Sequence, residues 1–179
     1  MTLVFVTSNP NKFKEAQKIL DIKLKQSHID VPEIQADSLT EIAKEAAKYA
    51  FEELGEPCFV EDSGLFIHDL HGFPGPYSKY VYYTIGLEGV LKLMEGKKNR
   101  GAEFRSAIGY ADSRGIKTFL GRVYGEITEE PRGSGGFGYD PIFKPLNHDK
   151  TFAEDPEYKN KVSHRSLALK RLAEYLSIG

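Results

Sequence analysis

Two stretches near the middle of the chain leave little freedom in how it folds. Glu103 to Ala111 and Lys117 to Ile127 each alternate apolar with polar residues, and Asp112-Ser113-Arg114-Gly115 lies between them. Successive side chains of a strand point to opposite faces, so a period of two predicts strands with one buried face. The short polar link predicts an antiparallel hairpin. A sheet must form, and the rest of the chain must cover it.

The covers are legible too. Leu3 to Val6 is a short apolar run that reads as a buried strand. Thr7-Ser8-Asn9-Pro10-Asn11 follows, with Asn9 suited to an N-cap and Pro10 to the first helical position. Phe13, Ala16, Ile19 and Leu20 then recur at helical spacing. Lys23 to Ile29 is a weaker strand, and Pro32 keeps Val31 out of helix. Ser38 and Glu41 have capping-box spacing ahead of a helix whose inner face is Ile42, Ala46, Ala50 and Leu54, ended by Gly55. Cys58-Phe59-Val60 is the next buried strand, ending in Glu61-Asp62-Ser63-Gly64. Gly72 to Pro76 is a loop, Ile85 to Met94 a third helix, and Pro131 to Pro141 a glycine-dense loop. Ser163 opens a last helix bearing Leu167, Leu169, Leu172 and Leu176. The order is α/β with a mixed sheet. Residues 1–179 are expected to form a single domain, long enough to bury roughly 70% of the unfolded surface.

Composition excludes several classes. The net charge of −2 argues against a broad grip on nucleic acid. No apolar run approaches the roughly 20 residues of a membrane span, and the N-terminus lacks the pattern of a signal peptide. One cysteine, Cys58, rules out an intramolecular disulfide framework, and a reducing, cytoplasmic setting is expected.

Four segments carry candidate chemistry. Thr7, Ser8, Asn9, Pro10, Asn11 and Lys12 gather hydroxyls, amides and a cation at a helix N-terminus, where phosphate oxygens collect. The same residues equally make a plain helix cap. Asp62, at a strand's end with Glu61 and Ser63, suits a divalent cation or a general base, or a turn ahead of Gly64. Glu33 is a possible second carboxylate, or a solvated surface residue. Phe137, in Gly133-Ser134-Gly135-Gly136-Phe137-Gly138-Tyr139-Asp140, offers a stacking face amid glycines, unless its aromatics fold into the core. His164 and Arg165 oppose the dipole of the helix they open, and residues that break a local rule are candidates for function.

These segments, with Gly72-Phe73-Pro74-Gly75-Pro76-Tyr77-Ser78, occur in one order along the chain. The set closely resembles the inosine/xanthosine triphosphate pyrophosphatase family, from Leu3 to about Leu172. The resemblance implies an elongated, strongly twisted mixed sheet flanked by helices, with a nucleotide cleft between two lobes. It implies hydrolysis of non-standard purine triphosphates (ITP, dITP, XTP) to monophosphate and pyrophosphate, Mg²⁺ as cofactor, and a homodimer. By residue, it assigns Thr7 to Lys12 to the triphosphate, Glu33 and Asp62 to the metal, and Asp62 to the general base. Ser63 and Lys159 contact substrate, Phe137, Gly138, Tyr139 and Asp140 form the base-binding loop, and His164 and Arg165 meet the 6-oxo group. One position departs from the family pattern: Ala46 stands where a lysine is expected, and Lys44 or Lys48 is the candidate replacement. Phe73, Pro74, Tyr77, Tyr80, Tyr82 and Tyr83 form either a dimer patch or part of the chain's own core or cleft. The competing class is a non-catalytic nucleotide-sensing module. A phosphotransferase would need a glycine-lysine phosphate loop that is missing.

Overall fold

The computed structural model describes residues 2–177. Its frame is one six-stranded sheet in the order β2-β1-β3-β4-β5-β6. Strands β1 (Thr2–Val6), β2 (Lys23–Ser27) and the first part of β3 (Cys58–Ile67) run parallel. From β3 onward the sheet is antiparallel, through β4 (Gly101–Asp112), β5 (Gly115–Ile127) and β6 (Phe143–Pro145). The expected hairpin is β4–β5, closed with Asp112 opposite Gly115.

Helix α1 (Pro10–Ile19) links β1 to β2, and Asn9 caps it by accepting from the backbone N–H of Asn11 and Lys12. Helix α2 (Leu39–Leu54) starts where Ser38 Oγ accepts from the Glu41 N–H and stops at Gly55, which adopts φ 68°. Its alanines pack with Val4, Val6, Cys58 and Val60 on one face of the sheet. On the opposite face Phe5, Phe59 and Ile108 pack with α1 and with α6 (His164–Leu176), the helix that Ser163 caps. Phe5 and Phe59 stack there at 4.3 Å.

Three expectations need correction. First, Glu61-Asp62-Ser63-Gly64 is not the end of a strand but the middle of β3, paired in register with Ile108 to Arg105. Gly64 is needed not for a turn but for a close approach: a Cβ there would lie 2.3 Å from the carbonyl oxygen of Gly75. Second, the helix expected over Ile85 to Met94 is present as α4 (Gly86–Leu93), but a further helix, α3 (Ser78–Thr84), precedes it, with the break at Gly86, φ 65°. Third, α5 (Pro156–Val162), capped by Asp155, precedes the last helix. Among the described residues no helix is long and apolar enough to cross a membrane.

Candidate functional site

A cavity of about 1220 Å³ opens where β1, β3, α2, α3 and the starts of α1 and α6 meet. It is lined by all of Thr7 to Lys12, by Glu33, Asp62 and Ser63, by Phe137 to Asp140, and by Lys159, His164 and Arg165. Every site residue named from the sequence therefore borders one space, although the segments lie far apart along the chain.

The side chains divide into two groups. On the wall formed by the phosphate-type turn, the Asn9 N–H donates to Thr7 Oγ1 at 3.1 Å, and Asn9 caps α1. The turn that caps α1 thus also forms this wall of the cavity, with the helix N-terminus at its edge. Lys12 reaches from this turn to within 3.5 Å of Glu61. Across from it stands Asp62. Burial raises its carboxyl, Lys12 opposes that, and the negative charges of Glu33 and Glu61 raise it further, to about 7. Glu33 lines the same cavity as Asp62, close enough for its charge to act on the Asp62 carboxyl. Among the described residues no three of His, Cys, Asp and Glu cluster as a preformed metal cage. Two carboxylate oxygen donors suit Mg²⁺, which ordinarily takes one or two carboxylates and leaves other positions to phosphates and water.

The other group is a buried chain of alternating charge. Arg165 gives its Nε to Glu61, its Nη1 to Glu15 at 2.6 Å, and its Nη2 to Ser63 Oγ at 3.1 Å. Lys159 donates to Glu15 and to Asp140, each at 2.7 Å. Burial would raise the Glu15 and Glu61 carboxyls, but Arg165, with Lys159 for the first and Lys12 for the second, holds both below the usual carboxylate range. Both cations lie over the Phe137 ring, with Lys159 Nζ 4.3 Å from its centre and Arg165 Cζ 5.4 Å away. His164 is buried and stacked on Phe104 at 4.6 Å. Burial and three nearby cations push its pKa well down, so it is neutral and its ring carries one N–H. Among the described residues its Nδ1 has no hydrogen-bond partner.

This geometry refines the sequence reading. Asp140 holds Lys159 and accepts from the Phe137 N–H at 3.0 Å, so it shapes the loop that presents Phe137. Tyr139 is buried and donates to the Ser78 carbonyl at 2.6 Å, which ties that loop to α3. Lys44 and Lys48 do not replace the missing lysine: both are exposed on the solvent side of α2 and neither lines the cavity. Ala46 does line it, and so does Lys79 on α3. Lys79 carries no motif of its own, and nothing in the sequence pattern marks α3 as a helix bordering the cavity. Glu15 carries no sequence signal, and the pairing of Glu61, named above only beside Asp62, is with an arginine 104 residues away. The aromatic patch splits: Tyr77, Tyr80 and Tyr83 are exposed, Pro74 is buried, and Tyr82 packs edge-on against Tyr139.

Comparison with known proteins identifies relatives over nearly the whole chain. The Ham1 family model matches residues 3–175. A dITP/XTP pyrophosphatase of Methanopyrus kandleri is 54% identical over 98% of this chain and 96% of its own length. One from Thermococcus kodakarensis is 52% identical over 98% of this chain and 97% of its own. Among solved structures, the Staphylococcus aureus Ham1 protein superimposes with TM-score 0.86 at 29% identity, covering 99% of this chain and 98% of that one. A Coxiella burnetii HAM1 protein gives 0.85 at 33% identity, with the same coverage.

Proposed function

Because the chain belongs to the Ham1 family, we propose that it hydrolyses non-standard purine nucleoside triphosphates (ITP, dITP and XTP) to the monophosphate and pyrophosphate, as one catalytic domain. The observation that carries this reading is the meeting of three things in one cavity: the amide-rich turn at 7–12, the carboxylates Glu33 and Asp62, and the Phe137 ring beside buried cations.

In this reading Thr7 to Lys12 and Lys79 receive the triphosphate. Glu33 and Asp62 would hold Mg²⁺, which when bound neutralises charge on the phosphates. Asp62 accepts the proton of the water that attacks the α-phosphorus. A free carboxylate is a weak base at neutral pH. Burial and the charges of Glu33 and Glu61 raise the Asp62 carboxyl, and a bound cation would oppose that rise. Its help therefore comes largely from positioning the water. The purine stacks on Phe137. Arg165 has three donors committed to Glu61, Glu15 and Ser63, and its remaining N–H groups, with His164, meet the 6-oxo acceptor. Adenine presents an amino group there, and a donor facing a donor in a closed pocket is left unpaired. A site built to bond one group rejects such an analogue by about 10⁴-fold or more.

Exposed Tyr77, Tyr80 and Tyr83, with Phe73 at their edge, support a homodimer in which α3 meets a second copy. A substrate drawn from the nucleotide pool supports a cytoplasmic setting for this reading. Product analysis on ITP and ATP, with and without Mg²⁺, tests the reading. Pyrophosphate from ITP, at least 10³-fold more slowly from ATP and only with the cation, is expected. Orthophosphate as first product, or binding of ITP without turnover, contradicts it; the latter outcome favours a nucleotide sensor.

A further inference from the structure

Glu61 has no part in the steps above, yet its side chain is 1% exposed, against 3% for Asp140 and 13% for Glu15. It precedes Asp62 on β3, so the two carboxylates leave the strand on opposite faces. Its Oε2 takes the Nε–H of Arg165. Its Oε1 lies 3.5 Å from Lys12 Nζ and, among the described residues, accepts no hydrogen bond. Lys12 belongs to the phosphate turn and Arg165 to the base pocket. From Arg165 the alternation of charge continues through Glu15 and Lys159 to Asp140, beneath the Phe137 ring.

We propose that Glu61 is a positioning residue that couples the two ends of the nucleotide site, by sharing one buried carboxylate between Lys12 at the phosphates and Arg165 at the base. A polyphosphate draws Lys12 toward itself. The Glu61 charge, no longer shared, then falls on Arg165 and fixes its guanidinium more firmly. An occupied phosphate turn therefore sharpens the base pocket, and by linkage the right base tightens the phosphates. The inference rests on the assignment of Lys12 to phosphates and Arg165 to the base.

The experiment uses the two reaction products on the whole chain. Dissociation constants of dIMP and dAMP are measured by calorimetry at fixed Mg²⁺, with and without pyrophosphate, in the native protein and in Glu61→Gln. In the native protein pyrophosphate tightens dIMP at least threefold and dAMP less. In Glu61→Gln that coupling disappears, while pyrophosphate alone binds as well or better, because a negative charge beside Lys12 has gone. A merely structural role would weaken dIMP and pyrophosphate together. No tightening in the native protein, which needs no variant to fold, overturns the proposal. So does tightening that persists in Glu61→Gln, or loss of pyrophosphate affinity alongside loss of dIMP affinity. Failure of the underlying assignment looks different: dIMP and pyrophosphate would not bind the native protein at all, and the proposal would fall with it.

Discussion

The two faces of the sheet use the same steric device for different ends. On one face α2 presses against Gly109, where a Cβ would stand 2.2 Å from the Ala43 carbonyl oxygen. On the other face α6 presses against Gly121, where a Cβ would stand 2.0 Å from the carbonyl oxygen of His164. Close approach is bought by glycine in both places. The α2 contact brings alanines together in an apolar cluster. The α6 contact fixes the first turn of a helix that carries His164 and Arg165 into the cavity wall. Both contacts border the cavity, but α2 supplies it with the apolar walls Ala43 and Ala46, whereas α6 supplies the hydrogen-bonding side chains His164 and Arg165.

Substitutions on the two faces should separate these roles. The largest effect is expected at Asp62. Replacing it with Asn lowers kcat by about 10³-fold, within the usual range for a general base, while calorimetric melting shows no loss of stability. A melting point lowered in step with activity would make Asp62 structural. Next is Arg165→Met, which strands Glu61 and Glu15 without their shared cation. Breaking one partner of a buried ion network costs about 3–5 kcal/mol, readable as a lower urea midpoint. On the apolar face Ile42→Val should cost only about 0.5–1.5 kcal/mol.

The glycines give the sharpest contrast. Gly109→Ala and Gly121→Ala should each destabilise by about 1–3 kcal/mol through overpacking. Turnover per folded molecule drops less in the first, which displaces an apolar wall, than in the second, which displaces His164 and Arg165. Equal turnover in both would erase the distinction between the faces. Lys79→Ala should raise KM for dITP up to about tenfold, which is about 1.4 kcal/mol of binding, with little change in kcat.

A separate prediction concerns pH. Asp62 holds its proton more tightly folded, at about 7, than unfolded, near 4. Its contribution to stability is therefore complete below pH 4 and lost as pH rises through 7. Without divalent cations, the stability of Asp62→Asn relative to the native protein should rise between those values. A flat difference in paired melting curves would show that burial does not perturb this carboxyl.

What could be read from the sequence follows the range of the forces involved. The β4–β5 register was legible because a period of two and a tight turn are local signals. The Asn9 and Ser38 caps were legible for the same reason. The continuation of β3 through Gly64 was not, because the reason for that glycine is the backbone of Gly75 passing over it. Nor were Glu15 and Glu61 legible as parts of the site, since a carboxylate's partner across the fold leaves no periodic trace. Motif order gathered Thr7 to Lys12, Asp62, Phe137 and Arg165 into one cavity. It assigned Lys44 and Lys48 wrongly because helix spacing alone does not say which face of α2 meets the cavity.

The account stands on Glu33 and Asp62 sharing one cation beside the phosphate turn. Mn²⁺ titration followed by electron paramagnetic resonance tests this without nucleotide or turnover. One bound ion per chain is predicted, with affinity at least tenfold weaker in both Glu33→Gln and Asp62→Asn and retained in Arg165→Met. Native affinity in both carboxamide variants would contradict the shared site.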